Sequence, residues 1–139
     1  MSTEISPEES FQEDQPTLAD IEESVIDQAA LDQILAIDPH NGHALLDRII
    51  DTFCDTAAEI VDNLIAAANS DDMAGVASAA HSLKSSSASV GALRLSTLSR
   101  DMEADAKSND TAAIREAAVN AKQEFNAAAA ELRLKRSTG

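Results

Sequence analysis

Three histidines are the side chains of this 139-residue sequence best suited to nucleophilic chemistry near neutral pH. His40 and His43 lie close together, in a turn that enters a helix, and an H-x-x-H pair can contact a metal ion. No third and fourth ligand accompanies them, so solvated turn residues are the simpler interpretation. His81 lies inside a helical pattern instead, and its position in that pattern can be worked out.

The segment that carries His81 has apolar or small residues at steps of three and four, which predicts a helix with one buried stripe. With about 100° of rotation per residue, His81 points about 130° away from the centre of that stripe. We therefore expect His81 to face solvent. If His81 has no chemical role, it is simply an exposed histidine on a solvated face of the helix. The stripe consists of Met73, Val76, Ala80, Leu83, Ser87 and Val90.

The predicted surface around His81 is shallow and positively charged. Lys84 is its one long side chain, and residues 73–100 carry three basic and no acidic groups, +3 in a chain of net charge −15. A phosphoryl group brings a charge of about −1.5 to −2, which a lysine one helical turn away partly neutralises. The pattern therefore suits a phosphoryl group on His81. The small neighbours are Ala74, Ala77, Ser78, Ser85 and Ala88.

Two helices are predicted before the one that carries His81. Asp27 caps a short helix, Gln28 to Ile37, which Asp38-Pro39 ends. A long helix follows from Asn41 and ends near Asn69-Ser70. Its predicted buried face consists of Leu45, Leu46, Ile49, Phe53, Ile60, Leu64 and Ala67.

Three further helices complete the predicted fold. Asp71 is the predicted N-cap of the helix that carries His81, and Gly91 ends it. A fourth helix is predicted over about residues 92–108, and Asn109-Asp110 separates it from a fifth. Long amphipathic helices joined by short turns predict an all-α fold, an antiparallel four-helix bundle with a short leading helix. The inward residues of the last two helices are Leu95, Leu98, Met102, Ile114, Ala118, Phe125 and Leu132.

Composition and charge restrict the class of protein. Residues 1–27 hold nine acidic and no basic groups, so we predict a disordered acidic tail over 1–26 and a single domain over 27–136. The net charge of −15 argues against nucleic acid and anionic membranes as partners. Cys54 has no partner for an internal disulfide, and neither a membrane-spanning run nor a secretion signal is evident. We expect a soluble, cytoplasmic, monomeric protein.

A spaced motif around His81 resembles the signature of histidine-containing phosphotransfer (Hpt) domains. The segment 81–87 reads His-Ser-Leu-Lys-Ser-Ser-Ser, and Val90-Gly91-Ala92 and Leu95 follow it. The family pattern is histidine, any residue, leucine, lysine, glycine and two small residues, then glycine-alanine and leucine. The resemblance covers about residues 28–134. One position departs from the pattern, since Ser85 stands where the family usually has glycine.

The resemblance implies a mechanism. His81 would attack the aspartyl phosphate of a receiver domain through Nε2, hold the phosphoryl group and pass it to another receiver. Lys84 would compensate phosphoryl charge, and Ser85 would be a secondary contact. The receivers would belong to response regulators or hybrid histidine kinases and would supply Mg²⁺, so we expect no cofactor on this chain. No glycine-rich phosphate loop is present, so we expect no ATP site and no autophosphorylation.

Two other functions remain open at this point. One is a non-transferring interaction bundle that sequesters a response regulator, with His81 as a contact residue only. Such a bundle would form no acid-labile, base-stable phosphohistidine, whereas a phosphotransfer protein would. The other is a helical metal-binding protein, which would retain metal on purification, although the sequence offers no closed set of ligands.

Overall fold

The computed structural model describes residues 24–136, which contain five α-helices and no strand. Residues 1–23, most of the predicted acidic tail, lie outside the described residues, as do residues 137–139. None of the described helices is long and apolar enough to cross a membrane. The helices are α1 (Gln28–Ile37), α2 (Gly42–Asn69), α3 (Met73–Ser89), α4 (Leu93–Lys107) and α5 (Thr111–Leu134).

The four long helices form a ring in which each contacts its two neighbours. Helix α2 packs on α3 and α5, α4 packs on the same two helices, and α1 packs on α2. Because short turns join successive helices, their directions alternate, and the predicted antiparallel four-helix bundle with a leading helix is confirmed. The core of the described residues is mainly aliphatic, and two aromatic side chains in it, Phe53 and Phe125, have ring centroids 5.9 Å apart.

The buried face of α2 is wider than the periodicity predicts. Ile50 and Val61 are fully buried, although neither belongs to the predicted face, and Ile49 and Ile60 of that face are only half-buried. The reason is that α2 contacts three helices, α1, α3 and α5. A helix with neighbours on several sides buries residues outside a single stripe.

Left-handed residues shape two of the turns. Asp71 has φ 55°, and Asp72, one residue later than predicted, is the N-cap of α3, with its carboxylate accepting from the Gly75 N–H at 3.0 Å. The prediction of Asp71 as the cap was wrong because the chain first needs a left-handed residue to leave α2, and Asp tolerates that conformation. The α4–α5 turn repeats this arrangement with Asn109 (φ 58°) and the N-cap Asp110.

The chain enters the bundle earlier than the predicted boundary at residue 27. Ile26 is 7% exposed and belongs to the core, and the Val25 N–H donates to Glu131 Oε1 of α5 at 2.8 Å. The Asp27 N–H donates to the Gly91 carbonyl at 2.8 Å. Gly91 is required there, since its φ is 79° and a Cβ would lie 2.6 Å from the Asp27 oxygen. Residues 24–27 therefore fasten the chain to α5 and to the turn that follows α3.

Candidate functional site

His81 lies near the middle of α3 with 65% of its side chain exposed. Its helix buries the opposite face, where Ala80 and Leu83 are fully buried. His81 therefore faces solvent, as the helical periodicity predicts. Ser85 is exposed one turn further along α3, and the other small residues of this face are half-buried or exposed. The imidazole thus stands above a low surface that another protein can approach closely.

Glu103 of α4 holds one nitrogen of the imidazole. His81 Nδ1 lies 3.1 Å from Glu103 Oε2. An ionised carboxylate only accepts hydrogen bonds, so this contact assigns the ring proton to Nδ1 and leaves the lone pair on Nε2. The arrangement orients the ring and directs its nucleophilic nitrogen away from the carboxylate.

The same carboxylate holds Lys84. Lys84 Nζ donates to Glu103 Oε1 at 3.0 Å, and Lys107 Nζ lies 3.9 Å from Oε2. The hydrogen bond from Lys84 is the largest cause that lowers the pKa of Glu103, the bond from His81 adds to it, and partial burial opposes both. Only 16% of the Glu103 side chain is exposed. Glu103 is therefore an ionised, partly buried carboxylate that contacts both His81 and Lys84.

A hydroxyl of α4 fixes the two helices beside the site. Ser96 Oγ donates to the Lys84 carbonyl of α3 at 2.9 Å. This bond and the Glu103 contacts lie along one side of α4, since Ser96 and Glu103 are seven residues, about two turns, apart. The α3–α4 contact is therefore tied by polar side chains at the level of the predicted nucleophile.

Glu103 was not among the site residues predicted from the sequence. The window 73–100 contains no acidic residue, and Glu103 lies just beyond it, so the surface is less positive than the window implies. The sequence does contain a signal for it, because polar residues of α4 recur at steps of four and three and so share one face of the helix. They are Ser96, Arg100, Glu103 and Lys107. That face could not be aligned with His81, because the register of two helices depends on the turn between them.

The structure separates the remaining histidines from this site. His40 lies in the α1–α2 turn and His43 in the first turn of α2, and both are exposed. Within residues 24–136, no three His, Cys, Asp or Glu side chains are grouped so that they could hold a metal ion. The constellation brought together on α3 and α4 is therefore His81, Lys84 and Glu103, with Ser85 beside them.

Comparisons with known proteins give the family and the fold of this chain. Residues 48–134, more than half of the chain and including all four site residues, match the Hpt domain family. The crystal structure of histidine-containing phosphotransfer protein B (HptB) from Pseudomonas aeruginosa PAO1 is similar, with TM-score 0.72 and 20% identity over 81% of this chain and 94% of that one. At that identity the likeness shows the fold. No curated protein matches the sequence. Because the family match covers more than half of its length, the chain belongs to the Hpt domain family.

Proposed function

We propose that this protein is a phosphorelay intermediate that carries a phosphoryl group on Nε2 of His81. The observation that carries the proposal is the exposed imidazole whose Nδ1 is bonded to Glu103 at 3.1 Å. Nε2 attacks the phosphorus of an aspartyl phosphate on a receiver domain. The N–P bond forms as the P–O bond to the aspartate breaks, and the carboxylate stays with the receiver. The reverse sequence delivers the phosphoryl group to the aspartate of a second receiver.

Glu103 and Lys84 have complementary roles in the proposed transfer. Attack by Nε2 makes the ring cationic, and the carboxylate on Nδ1–H stabilises that charge, as a carboxylate does for any histidine it orients. Lys84, held 3.0 Å from the same carboxylate, offers its ammonium to the phosphoryl oxygens. Ser85 is a secondary contact, exposed on the same face. Mg²⁺ is supplied by the receiver, so this chain requires no cofactor of its own.

The proposed partners are receiver domains of response regulators or hybrid histidine kinases. In-line positioning and charge compensation are the main requirements of phosphoryl transfer, so two docked surfaces suffice without an ATP site. The net charge of −15 disfavours nucleic acid and anionic membranes as alternatives. We propose a cytoplasmic monomer that meets its receivers one at a time.

The decisive experiment incubates the protein with a receiver domain carrying a radiolabelled aspartyl phosphate. We expect label on the wild-type chain that survives base and is lost in acid, and none on His81→Gln. His43→Gln, an exposed histidine outside the site, is the matched control and should label like wild type. Label on His81→Gln would contradict the assignment of the nucleophile. Stable binding of the receiver without label on any variant would support the sequestering bundle instead.

A further inference from the structure

Glu103 contacts the side chains of His81 and Lys84 with its two carboxylate oxygens. Lys84 Nζ donates to Oε1 at 3.0 Å, while His81 Nδ1 lies 3.1 Å from Oε2. The imidazole and the ammonium are therefore held beside each other on one carboxylate. This arrangement belongs to the protein without a phosphoryl group, in which Glu103 is the one anion that Lys84 is seen to contact among the described residues.

A phosphoryl group on Nε2 of His81 would compete with Glu103 for Lys84. It brings a charge of about −1.5 to −2, whereas a carboxylate has a charge of −1. Hydrogen bonds between ionised groups are the strong ones, and Lys84 is one helical turn from His81. Its side chain is 33% exposed, so the ammonium can turn toward phosphoryl oxygens on the solvent side. In the phosphorylated protein the bond from Lys84 to Glu103 is therefore weakened or lost.

Losing Lys84 would leave Glu103 short of positive charge. Its side chain is only 16% exposed, so water compensates the carboxylate poorly. The carboxylate would also lie close to a phosphoryl group of the same sign, and like charges at short range repel. An ionised Glu103 beside a phosphorylated His81 therefore needs a second cation.

Lys107 is placed to supply that cation. It follows Glu103 by four residues on α4, and its Nζ lies 3.9 Å from Oε2, so the contact does not depend on α3. The Lys107 side chain is 72% exposed on a flexible stem, and a movement of about 1 Å brings Nζ to the usual distance of a charged hydrogen bond. Arg100, on the same face of α4, contacts Asp101 at 3.7 Å.

We propose that Lys107 replaces Lys84 on Glu103 when His81 is phosphorylated. The inference rests on the proposed function and deepens it, because it adds a positioning residue that acts through Glu103. The carboxylate then has a cation in both states and keeps its hydrogen bond from the Nδ1–H of His81, while Lys84 is released to the phosphoryl oxygens. Only hydrogen bonds and ion pairs change in this exchange. Lys107 should accordingly stabilise the phosphorylated protein more than the unphosphorylated one.

Chemical phosphorylation tests the inference without a receiver. The P–N bond of phosphoramidate breaks as Nε2 of His81 bonds to phosphorus, and the nitrogen leaves as ammonia. Full-length protein with His40→Gln and His43→Gln keeps His81 as its one histidine. Urea unfolding at pH 8, where phosphohistidine survives, then gives a midpoint with and without the phosphoryl group. Because the unfolded chain does not hold these contacts, the midpoint reports their strength in the folded protein.

The expected result is an effect of Lys107 that depends on phosphorylation. Lys107→Gln should lower the urea midpoint of the phosphorylated protein by about 0.3 M more than that of the unphosphorylated protein. Lys107→Arg keeps the charge and should behave like the parent protein. Lys122→Gln is the matched control, since Lys122 contacts Asp62 of α2 at 3.6 Å, outside the site, and it should affect both states equally.

The same measurements in a Glu103→Gln background show how Lys107 acts. The extra effect of Lys107→Gln on the phosphorylated protein should disappear there, because the carboxylate that joins Lys107 to the site is gone. An extra effect that persists without Glu103 would overturn the inference in favour of direct contact with the phosphoryl group. Equal effects of Lys107→Gln in the two states would overturn the inference alone. Failure of His81 to take up the phosphoryl group would overturn the proposed function, and this inference with it.

Discussion

The two faces of α3 use the same helix for different purposes. On the inner face Ala80, Leu83 and Ser87 are fully buried, whereas on the outer face His81 is 65% exposed. On the outer face the side chains of His81 and Lys84 both contact one carboxylate, Glu103, while the inner face is held by packing with α2 and α4. The side chains that stabilise the fold and the histidine proposed to react therefore point in directions about a third of a helical turn apart.

This separation explains how a simple bundle can present the nucleophile that we propose. The inner face tolerates little change because buried groups are closely packed. Even Ser87, whose hydroxyl has no hydrogen-bond partner within the described residues, is small enough to let the helices approach. The outer face has no such constraint, so its residues are free to serve a partner. Substitutions on the two faces should then affect different measurements.

The largest expected effect is on the outer face. His81→Gln should abolish phosphate acceptance, since it removes the proposed nucleophile, while the free energy of unfolding changes by no more than about 0.5 kcal/mol. Labelling by a phosphorylated receiver and thermal unfolding followed by circular dichroism measure the two quantities. A variant that loses both would show that the two faces are not independent.

The converse test is Leu83→Ala, on the inner face two residues from His81. Leu83 is 0% exposed, so its truncation should cost about 2 to 5 kcal/mol of unfolding free energy. Transfer per folded molecule should stay near that of wild type, because Leu83 lies on the buried inner face, whereas the contacts with Glu103 are made by His81 and Lys84. Denaturant titration gives the stability, and single-turnover transfer normalised to the folded fraction gives the activity. A stable but inactive Leu83→Ala would contradict the separation.

Lys84→Ala should slow transfer without preventing it. A charge-assisted hydrogen bond made fully in the transition state is worth up to about 150-fold in rate, and a side chain one-third exposed and already paired with Glu103 should give about tenfold. Lys84→Arg should be milder. Single-turnover rates at two salt concentrations measure the effect, which should be larger at low salt. A wild-type rate for the alanine variant at low salt would exclude Lys84 from the chemistry.

In the proposed transfer Glu103 acts through His81 and Lys84, so its removal should reduce the rate less. Glu103→Ala should slow transfer about two- to tenfold, and Glu103→Gln less, because an amide oxygen still accepts from Nδ1–H. Since contact with Lys84 lowers the pKa of Glu103 in the folded protein, the carboxylate stabilises the fold above its ordinary pKa. That stability is lost as the pH falls through the lowered value.

Thermal unfolding of wild type and Glu103→Gln across the acidic range tests this pH dependence. The difference in melting temperature should be present at neutral pH and shrink on acidification. A difference independent of pH would show that the charge of Glu103 does not stabilise the α3–α4 contact.

The smallest effect is expected for deletion of residues 1–16. No residue of this segment belongs to the predicted core, so stability should change by no more than about 0.5 kcal/mol. Transfer should also be unchanged, which leaves the contrast between the two faces of α3 intact. A large fall in melting temperature would show that the extreme N-terminus packs against the bundle.

Local signals in the sequence predicted much of this fold. The cap Asp27 and the Asp38-Pro39 stop give α1 its observed bounds, Gln28–Ile37, and the three- and four-residue steps on α3 give the outward direction of His81. Contacts between segments could not be predicted in this way. The pairing of Glu103 with His81 depends on the register of α4 against α3, and the anchoring of Val25 and Ile26 depends on where α5 ends.

The hydrogen bonds that join Ser24 and Val25 to Glu131 have a consequence for the architecture of larger proteins. They bring together residues 107 and 106 positions apart in the sequence, so the two ends of the folded domain meet at one end of the bundle. A domain whose ends are adjacent can be inserted into a loop of another protein, because the host chain leaves and returns at nearly the same point. The bundle could therefore be inserted into a loop of a host protein without moving the two ends of that loop apart.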